Sequence, residues 1–247
     1  PARPCLSMCG RYFLHRDPAA LARRFGAAHP TPNLAPIWNI APTQDSLVLR
    51  RHPETGARHL DLLRWGLVPR WAKDASGGAR LINARDDSVA VKPSFREAFR
   101  KRRCLVPMDG FYEWRAEGGR KQPYACALRS GAPMACAGLW EGWRQPDGAW
   151  LRSYTIITTA AAGRQALQHA RMPVILPPEA WDPWLTGEDE AALLALLRPA
   201  EDALLAFWPV SARVGRVAEN DAGLLARDPL AQPPPELDDP PPRANDP

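Results

Sequence analysis

Short apolar or alternating runs recur along the chain, and Gly, Pro and Asp-Gly turn signals separate them. In chain order they are SLVLRR, LDLLRWGLV, CLVPMDGFYEW, PYACALR, MACAGLWEGW and SYTIITTAA. Short runs bounded by such turn residues are typical of strands in antiparallel sheets. The pattern therefore predicts a core rich in antiparallel β-structure.

Three other segments have helical spacing. LARRFGAA predicts a short helix that begins after Asp17 as N-cap, with Pro18 at its first position. PPEAWDPWL and EDEAALLALL combine helical spacing with acidic starts. We expect an α+β fold: a single compact domain with a mainly antiparallel, barrel-like β core and peripheral helices.

The last segment, DPLAQPPPELDDPPPRANDP, is Pro-rich and acidic and offers little to bury. We expect it to be disordered from about Asp228 onward. It carries a net charge of −4 within an overall charge of +5, so residues 1–227 carry +9. A body this basic suggests a polyanionic partner, although composition alone leaves nucleic-acid binding open.

Composition excludes several classes of protein. With 247 residues, 45% of them hydrophobic, and ten tryptophans, the chain can bury a substantial core. It contains no apolar run of about 18 residues and no apolar stretch typical of a signal peptide, so we expect a cytoplasmic protein without a membrane span. The five cysteines form no C-x-x-C pair and no zinc set, which predicts free thiols and no metal.

The stretch SMCGRY near the start has two interpretations. Cys9 is either a small buried residue at the start of a strand, or it follows an initiator, Met8, whose removal leaves a free α-amine beside the thiol. Such an amine can form an imine with an aldehyde, and the thiolate can then close a five-membered thiazolidine ring. Because the pKa of an α-amine is about 7.7–8.0, a useful fraction is neutral near pH 7.

Further segments place aromatic and basic residues together. In RWGLVPRW, Trp71 is either part of a rigid turn or an exposed indole beside Arg70 that stacks on a base. In LINARDD, the period of two places Asn83 and Arg85 on one face, where an amide and a guanidinium can orient a sugar oxygen and a phosphate. The basic run in SFREAFRKRRC is either a solvated helix face or part of a phosphate track.

Two residues are candidates for proton transfer. Glu113 lies among aromatic residues in DGFYEWR, a setting that raises a carboxyl pKa, although a strand glutamate paired with an arginine fits equally well. His169 precedes Arg171 and a Met-Pro in LQHARMPVIL, and it is either structural or an acid–base group.

Taken together, these segments resemble one family, the SRAP (SOS response-associated peptidase) proteins. The resemblance covers about residues 8–227, and its motifs occur in this order: MCGRY, WNIAPTQ, RWGLVPRW, LINARDD, SFREAFRKRRCLVPMDGFYEWR, KQPYACAL, AGLWEGW, YTIITTAA, HARMPVIL and NDAGLL. Each motif is weak by itself, but so many in collinear order are highly specific.

The resemblance implies a sensor of abasic sites in single-stranded DNA that joins its N-terminal cysteine to the sugar aldehyde left by a lost base. Cys9 matches the crosslinking cysteine, and Asn83 matches the amide that helps to orient it. Glu113 and His169 match the active-site carboxylate and acid–base histidine. The expected DNA-binding residues are Arg11, Trp71, Arg85 and Arg171. No cofactor is implied.

The sequence departs from the family at two places. With residues 1–7 attached, Cys9 has an amide in place of an amine, so we expect either a misassigned start with removal of Met8 or a leader that is cut away, in line with the self-cleavage proposed for the family. Asp86-Asp87 stands where the family often has a Glu a residue or two later, which puts a minor contact in doubt.

Two rival functions remain. A thiol peptidase would use Cys9 as nucleophile and His169 as base. A plain single-strand-binding module would use the tryptophans and arginines and leave the cysteine inert. We expect a monomer, because the basic face must stay open, and association with the nucleoid when the protein is engaged on DNA; the sequence names no replication or repair partner.

Overall fold

Twelve β-strands and four α-helices are formed by the residues that the structure describes, which are 10–28, 31–52 and 54–242 of a computed structural model. The strands are β1 (Tyr12–Leu14), β2 (Ile37–Ile40), β3 (Asp45–Arg51), β4 (Arg58–Trp65), β5 (Asn83–Arg85), β6 (Arg103–Met108), β7 (Gly110–Glu117), β8 (Arg120–Leu128), β9 (Met134–Arg144), β10 (Trp150–Ala160), β11 (Arg171–Pro173) and β12 (Leu205–Pro209). The helices are α1 (Pro18–Phe25), α2 (Arg96–Lys101), α3 (Trp181–Thr186) and α4 (Glu190–Ala195).

Five strands close into a barrel in the order β10-β4-β3-β6-β9, because β9 also pairs with β10. The β9–β10 pairing is antiparallel and runs from Arg144 opposite Trp150 to Gly138 opposite Ile156. The β4–β10 pairing is parallel, so the barrel is mixed. The structure confirms the predicted α+β fold with a mainly antiparallel, barrel-like core.

A second sheet, in the order β12-β8-β7-β1-β2, is antiparallel throughout. Its longest pairing is the β7–β8 hairpin, from Gly110 opposite Ala127 to Glu117 opposite Arg120. The single apolar segment CLVPMDGFYEW supplies β6 to the barrel and β7 to this sheet. One short stretch of sequence thus connects the two sheets.

Aromatic residues join the sheet to the barrel in the interior. The hydroxyl groups of Tyr12 on β1 and Tyr154 on β10 are 2.6 Å apart. The Tyr12 ring packs edge-on against Trp65, whose Nε1–H donates a hydrogen bond to the carbonyl of Ile82 at 3.0 Å. Because both tyrosines are fully buried, this hydrogen bond satisfies hydroxyls that would otherwise cost free energy. The contacts fix β1 against β10.

The helices form where the sequence predicts them. The Asp17 carboxylate accepts the backbone N–H of Ala20 at 3.1 Å, Pro18 occupies the first helical position, and Gly26 ends α1 at a φ of 62°. This left-handed conformation favours glycine and is a common helix end. The segment PPEAWDPWL supplies all of α3 except its last residue, EDEAALLALL contains α4, and the basic run contains α2.

The C-terminal segment differs from the expectation of disorder from Asp228 onward. Leu237 is completely buried and belongs to the main core. The Asp239 carboxylate accepts the backbone N–H of Phe207 and forms ion pairs with Arg129 at 2.8 Å and Arg164 at 2.7 Å. Burial of Leu237 and the polar contacts of Asp239 therefore hold this segment against the folded domain, although its composition predicts exposure to solvent. Residues 243–247 of the expected tail lie outside the described residues.

Replacing Leu237 with alanine should lower the free energy of unfolding by about 3 kcal/mol, since it removes a buried side chain and leaves a cavity. Urea denaturation measures this loss. Leu230, which is 88% exposed in the same segment, provides the control, and Leu230→Ala should change the stability by less than about 0.5 kcal/mol. Equal effects of the two substitutions would contradict docking of the segment.

Cys104, Cys126 and Cys136 are buried free thiols, as the cysteine pattern predicts for them. Burial raises the pKa of all three thiols, which keeps them protonated and unreactive. Within the described ranges, no helix is long and apolar enough to cross a membrane, and no cluster of side chains suited to hold a metal ion is present.

Candidate functional site

The C-terminal end of β10 brings several predicted site residues together. β5 runs parallel to β10, with Arg85 opposite Thr158. β11 runs antiparallel to β10, with Arg171 opposite Ala160. Asn83 and Arg85 are the first and last residues of β5, and both therefore lie close to the segment that carries Arg171.

Alternation along β5 directs its side chains as the sequence predicts. Ala84 is buried in the core, whereas its neighbours Asn83 and Arg85 are half-buried and exposed. The Arg85 guanidinium pairs with Asp87 at 2.5 Å, and this hydrogen bond lowers the pKa of the Asp87 carboxyl. An exposed ion pair of this kind contributes little to stability, so a phosphate can replace Asp87 at small cost.

Arg171 is held by groups of the protein itself. Its guanidinium donates to Asp86 Oδ1 at 2.6 Å and to the carbonyl of Thr158, and it is buried. The other carboxylate oxygen of Asp86 accepts the hydroxyl of Thr159 at 2.7 Å. Asp86, at the position where the sequence departs from the family pattern, thus ties β5 to β10 and β11. The expected phosphate contact of Arg171 stays a prediction.

The imidazole of His169 is oriented by the backbone. Its Nδ1 accepts the N–H of Arg171 at 3.1 Å, and its own backbone N–H donates to the carbonyl of Gln165 at 3.1 Å. A neutral imidazole whose Nδ1 is an acceptor carries its proton on Nε2. Because His169 is only half-buried, this Nε2–H can donate a hydrogen bond to a bound molecule.

Glu113 lies on β7, opposite Tyr124, and is only 3% exposed. Its charge and that of Arg164 both affect the buried Cys126, whose thiol pKa is raised mainly by burial. Glu113 shares its face of β7 with Phe111, a residue of the main core, so its side chain lies on the interior side of the β7–β8 hairpin. The position suits a carboxylate that exchanges a proton away from bulk water.

The Arg11 side chain, two residues after Cys9 in the sequence, forms hydrogen bonds with other parts of the protein. Its guanidinium donates to Asn39 Oδ1 at 2.9 Å and to the carbonyls of Val214 and Gly215 at 2.7 and 3.2 Å. Burial lowers its pKa. Cys9 itself lies outside the described residues. Because the Arg11 guanidinium binds groups of the protein itself, its expected role in DNA binding stays a prediction.

The two tryptophans of RWGLVPRW have opposite environments. Trp65 is completely buried, whereas Trp71 is 67% exposed on the loop after β4. The carbonyl of the next residue, Ala72, accepts the Nε1–H of Trp143 at 2.7 Å, which fixes the loop to β9. Trp71 thus has the exposed position that stacking on a base requires.

The sequence interpretation missed two residues in the turn before His169. Gln165 and Gln168 are buried, and their carboxamide groups form no hydrogen bond within the part of the chain that the structure describes. The repeated glutamine in QALQH is the signal that could have revealed them.

Gln165→Leu should raise the free energy of unfolding by about 1 kcal/mol, because it removes a buried amide without a partner at nearly constant volume. Gln122 is the matched control, since its amide donates to the carbonyls of Pro123 and Val210 at 2.9 Å each. Gln122→Leu should lower the stability by about 1 kcal/mol. Chemical denaturation compares the two, and a loss of stability in Gln165→Leu would refute the assignment.

Comparison with known proteins agrees with this architecture. The family model described as SOS response associated peptidase (SRAP) matches residues 8–217. The chain belongs to the SRAP family. This SRAP chain is 36% identical over 223 residues to the abasic site processing protein YoqW of Bacillus subtilis, covering 88% of this chain and 99% of the relative. It is 35% identical over 214 residues to the abasic site processing protein HMCES of Gallus gallus, covering 74% and 63%.

A solved structure shares the fold of this SRAP chain. The crystal structure of a protein from Bacteroides thetaiotaomicron superposes with a TM-score of 0.81, covers 89% of this chain and all of the other, and is 24% identical. At this identity the similarity shows the fold alone.

Proposed function

We propose that this SRAP protein processes abasic sites in single-stranded DNA by joining Cys9 covalently to the ring-opened sugar. The observation that carries the proposal is the similarity, over almost their whole length, to bacterial relatives named abasic site processing proteins. The cluster of Asn83, Arg85 and His169 at one end of β10 and the exposed indole of Trp71 support it.

The covalent step follows from the chemistry of a terminal aminothiol. The neutral α-amine of Cys9 attacks the aldehyde carbon of the open sugar, and loss of one water gives an imine. The thiol then adds across the carbon–nitrogen double bond, sulfur to carbon and proton to nitrogen. The product is a thiazolidine ring, formed from an amine, a thiol and an aldehyde with release of one water.

The side chains have separate roles in this proposal. His169 donates a hydrogen bond from Nε2–H to the sugar ring oxygen and stabilises the charge that develops there as the bond from this oxygen to C1 breaks. Glu113 takes the proton of the C1 hydroxyl and returns it to the ring oxygen, so the ring opens to the aldehyde without a net change in protons. Glu113 accepts and returns the protons that move as the imine forms. Asn83 orients the reacting groups by hydrogen bonds, while Arg85 and Trp71 hold the strand through a phosphate and a base. The reaction is DNA-processing chemistry of a lyase type.

A gel assay tests the proposal. Protein that begins at Cys9 is incubated with an oligonucleotide that contains one abasic site, and denaturing electrophoresis separates covalent products. We expect a stable protein–DNA band, and none with an undamaged strand or with an abasic site reduced by borohydride, which has no aldehyde. Failure to form the band with the unreduced abasic strand overturns the proposal.

A second activity, removal of the leader, would expose Cys9 in chains that begin before Met8. The peptidase in the family description and the residues before Met8 favour it. Hydrolysis of the Met8–Cys9 bond by water would use Glu113 and His169 as proton carriers. Purified leader-bearing protein should then acquire a Cys9 terminus over time, and its Glu113→Gln variant should not. An unchanged intact mass in both proteins would exclude self-cleavage.

A further inference from the structure

A cleft between β9, β10 and the loop after β4 has no role in the proposed chemistry. Its volume is about 220 Å³. The residues that line it include Arg70, Arg102, Trp140, Glu141, Trp150 and Arg152. We call it the β9–β10 cleft.

The register of the β9–β10 pair produces its aromatic surface. Arg152 lies opposite Gly142, and Trp150 lies opposite Arg144. The Trp150 ring lies beside Gly142: a Cβ built on Gly142 would be in ordinary van der Waals contact with that ring, at 3.5 Å. Trp150 is nevertheless 55% exposed, so much of its indole is open to solvent.

The cleft carries an excess of positive charge. Glu141 is buried, and its carboxylate pairs with Arg102 at 2.8 Å. Arg70 and Arg152 are exposed, and neither forms a salt bridge within residues 10–28, 31–52 and 54–242. Two guanidinium groups are therefore available to an anion beside an exposed indole.

The cleft is continuous with the loop that carries Trp71. Arg70, which lines the cleft, directly precedes Trp71. The hydrogen bond from Trp143 Nε1–H to the carbonyl of Ala72 fixes this loop against β9. A strand that stacks on Trp71 can therefore continue into the cleft.

We propose that the β9–β10 cleft binds a second, undamaged nucleotide of the same DNA strand. Trp150 stacks on its base, and Arg70 and Arg152 bind its phosphate. Aromatic stacking combined with a basic surface is how proteins hold single strands without reading their sequence. The inference rests on the proposed function, which supplies the strand, and it adds a binding subsite away from the sugar that reacts.

Equilibrium binding to undamaged single strands tests the cleft independently of capture. Trp150→Ala combined with Arg152→Ala should weaken binding of a strand of about twelve nucleotides by about tenfold. The magnitude of the slope of log affinity against log salt should fall by about 0.7, the value for one lost phosphate contact. Arg23→Ala, which removes an exposed arginine of α1 outside the cleft, is the control and should retain both values.

Capture of a short abasic oligonucleotide, with about two nucleotides on each side of the site, separates this inference from the proposed function. The double variant should capture it as fast as the unmodified protein, because the cleft is not needed. If the double variant binds the long strand with unchanged affinity, the cleft is not a nucleotide subsite. The same conclusion follows if its capture of the short strand falls by the same factor as its affinity for the long strand. Loss of long-strand affinity in a protein that captures no abasic strand at all supports the cleft and overturns only the covalent function.

Discussion

Replacing Cys9 with alanine is expected to abolish covalent capture of an abasic strand. Alanine keeps the α-amine but removes the thiol, so an imine can form but no ring can close. An imine hydrolyses readily, and no stable band should survive denaturing electrophoresis. Noncovalent binding of the same strand should change by less than about twofold, because the phosphates and bases are held by other side chains.

The buried cysteines provide the control for this substitution. Cys104 is completely buried, and burial raises its thiol pKa, so it cannot replace Cys9 as a nucleophile. Cys104→Ala should therefore retain full capture at a temperature where the variant is folded. Stable capture by Cys9→Ala would show that another residue reacts and would contradict the proposed chemistry.

Replacing His169 with alanine is expected to slow capture by about a hundredfold, which is within the range for loss of one hydrogen-bond donor to a charge that develops in the transition state. The imidazole accepts the N–H of Arg171 at Nδ1, and this leaves Nε2–H to donate a hydrogen bond to the ring oxygen of the substrate. The loss should appear in the single-turnover rate at saturating protein, with little change in the affinity for the strand.

His52→Ala, on the hairpin between β3 and β4, is the matched histidine control and should leave the rate unchanged. If the sugar is supplied already in its open-chain form, the defect of His169→Ala should become smaller, since the proposed role of the histidine is to open the ring. A rate within about threefold of the unmodified protein on a closed abasic sugar would contradict that role.

The local sequence pattern predicts most of the strands and the start of the first helix. The turn-bounded apolar runs become β3, β4 and β6 to β10, and Asp17 and Pro18 begin α1 where local rules place it. Closure of the barrel by β9 against both β6 and β10 is not readable from any single run, because it depends on pairing between distant segments. The docking of Leu237 is missed for the same reason, since its partners are supplied by the folded body.

In the candidate site, too, the local sequence predicts the residues but not their tertiary contacts. Motif order predicts which residues to inspect, and alternation places Asn83 and Arg85 on one side of β5. The contact of Arg11 with Val214 and the tautomer of His169 depend on backbone groups brought in by tertiary structure. Sequence spacing contains no information about which carbonyl or N–H meets each side chain.

The most direct test of the central claim is mass spectrometry of the N-terminal peptide from the purified protein–DNA conjugate. The ring requires that both the α-amine and the thiol of Cys9 are bonded to the same sugar carbon. We expect a peptide that begins at Cys9, carries the sugar with loss of one water, and resists both amine labelling and thiol alkylation. A conjugate whose sugar is attached to another residue, or whose Cys9 thiol still alkylates, would contradict it.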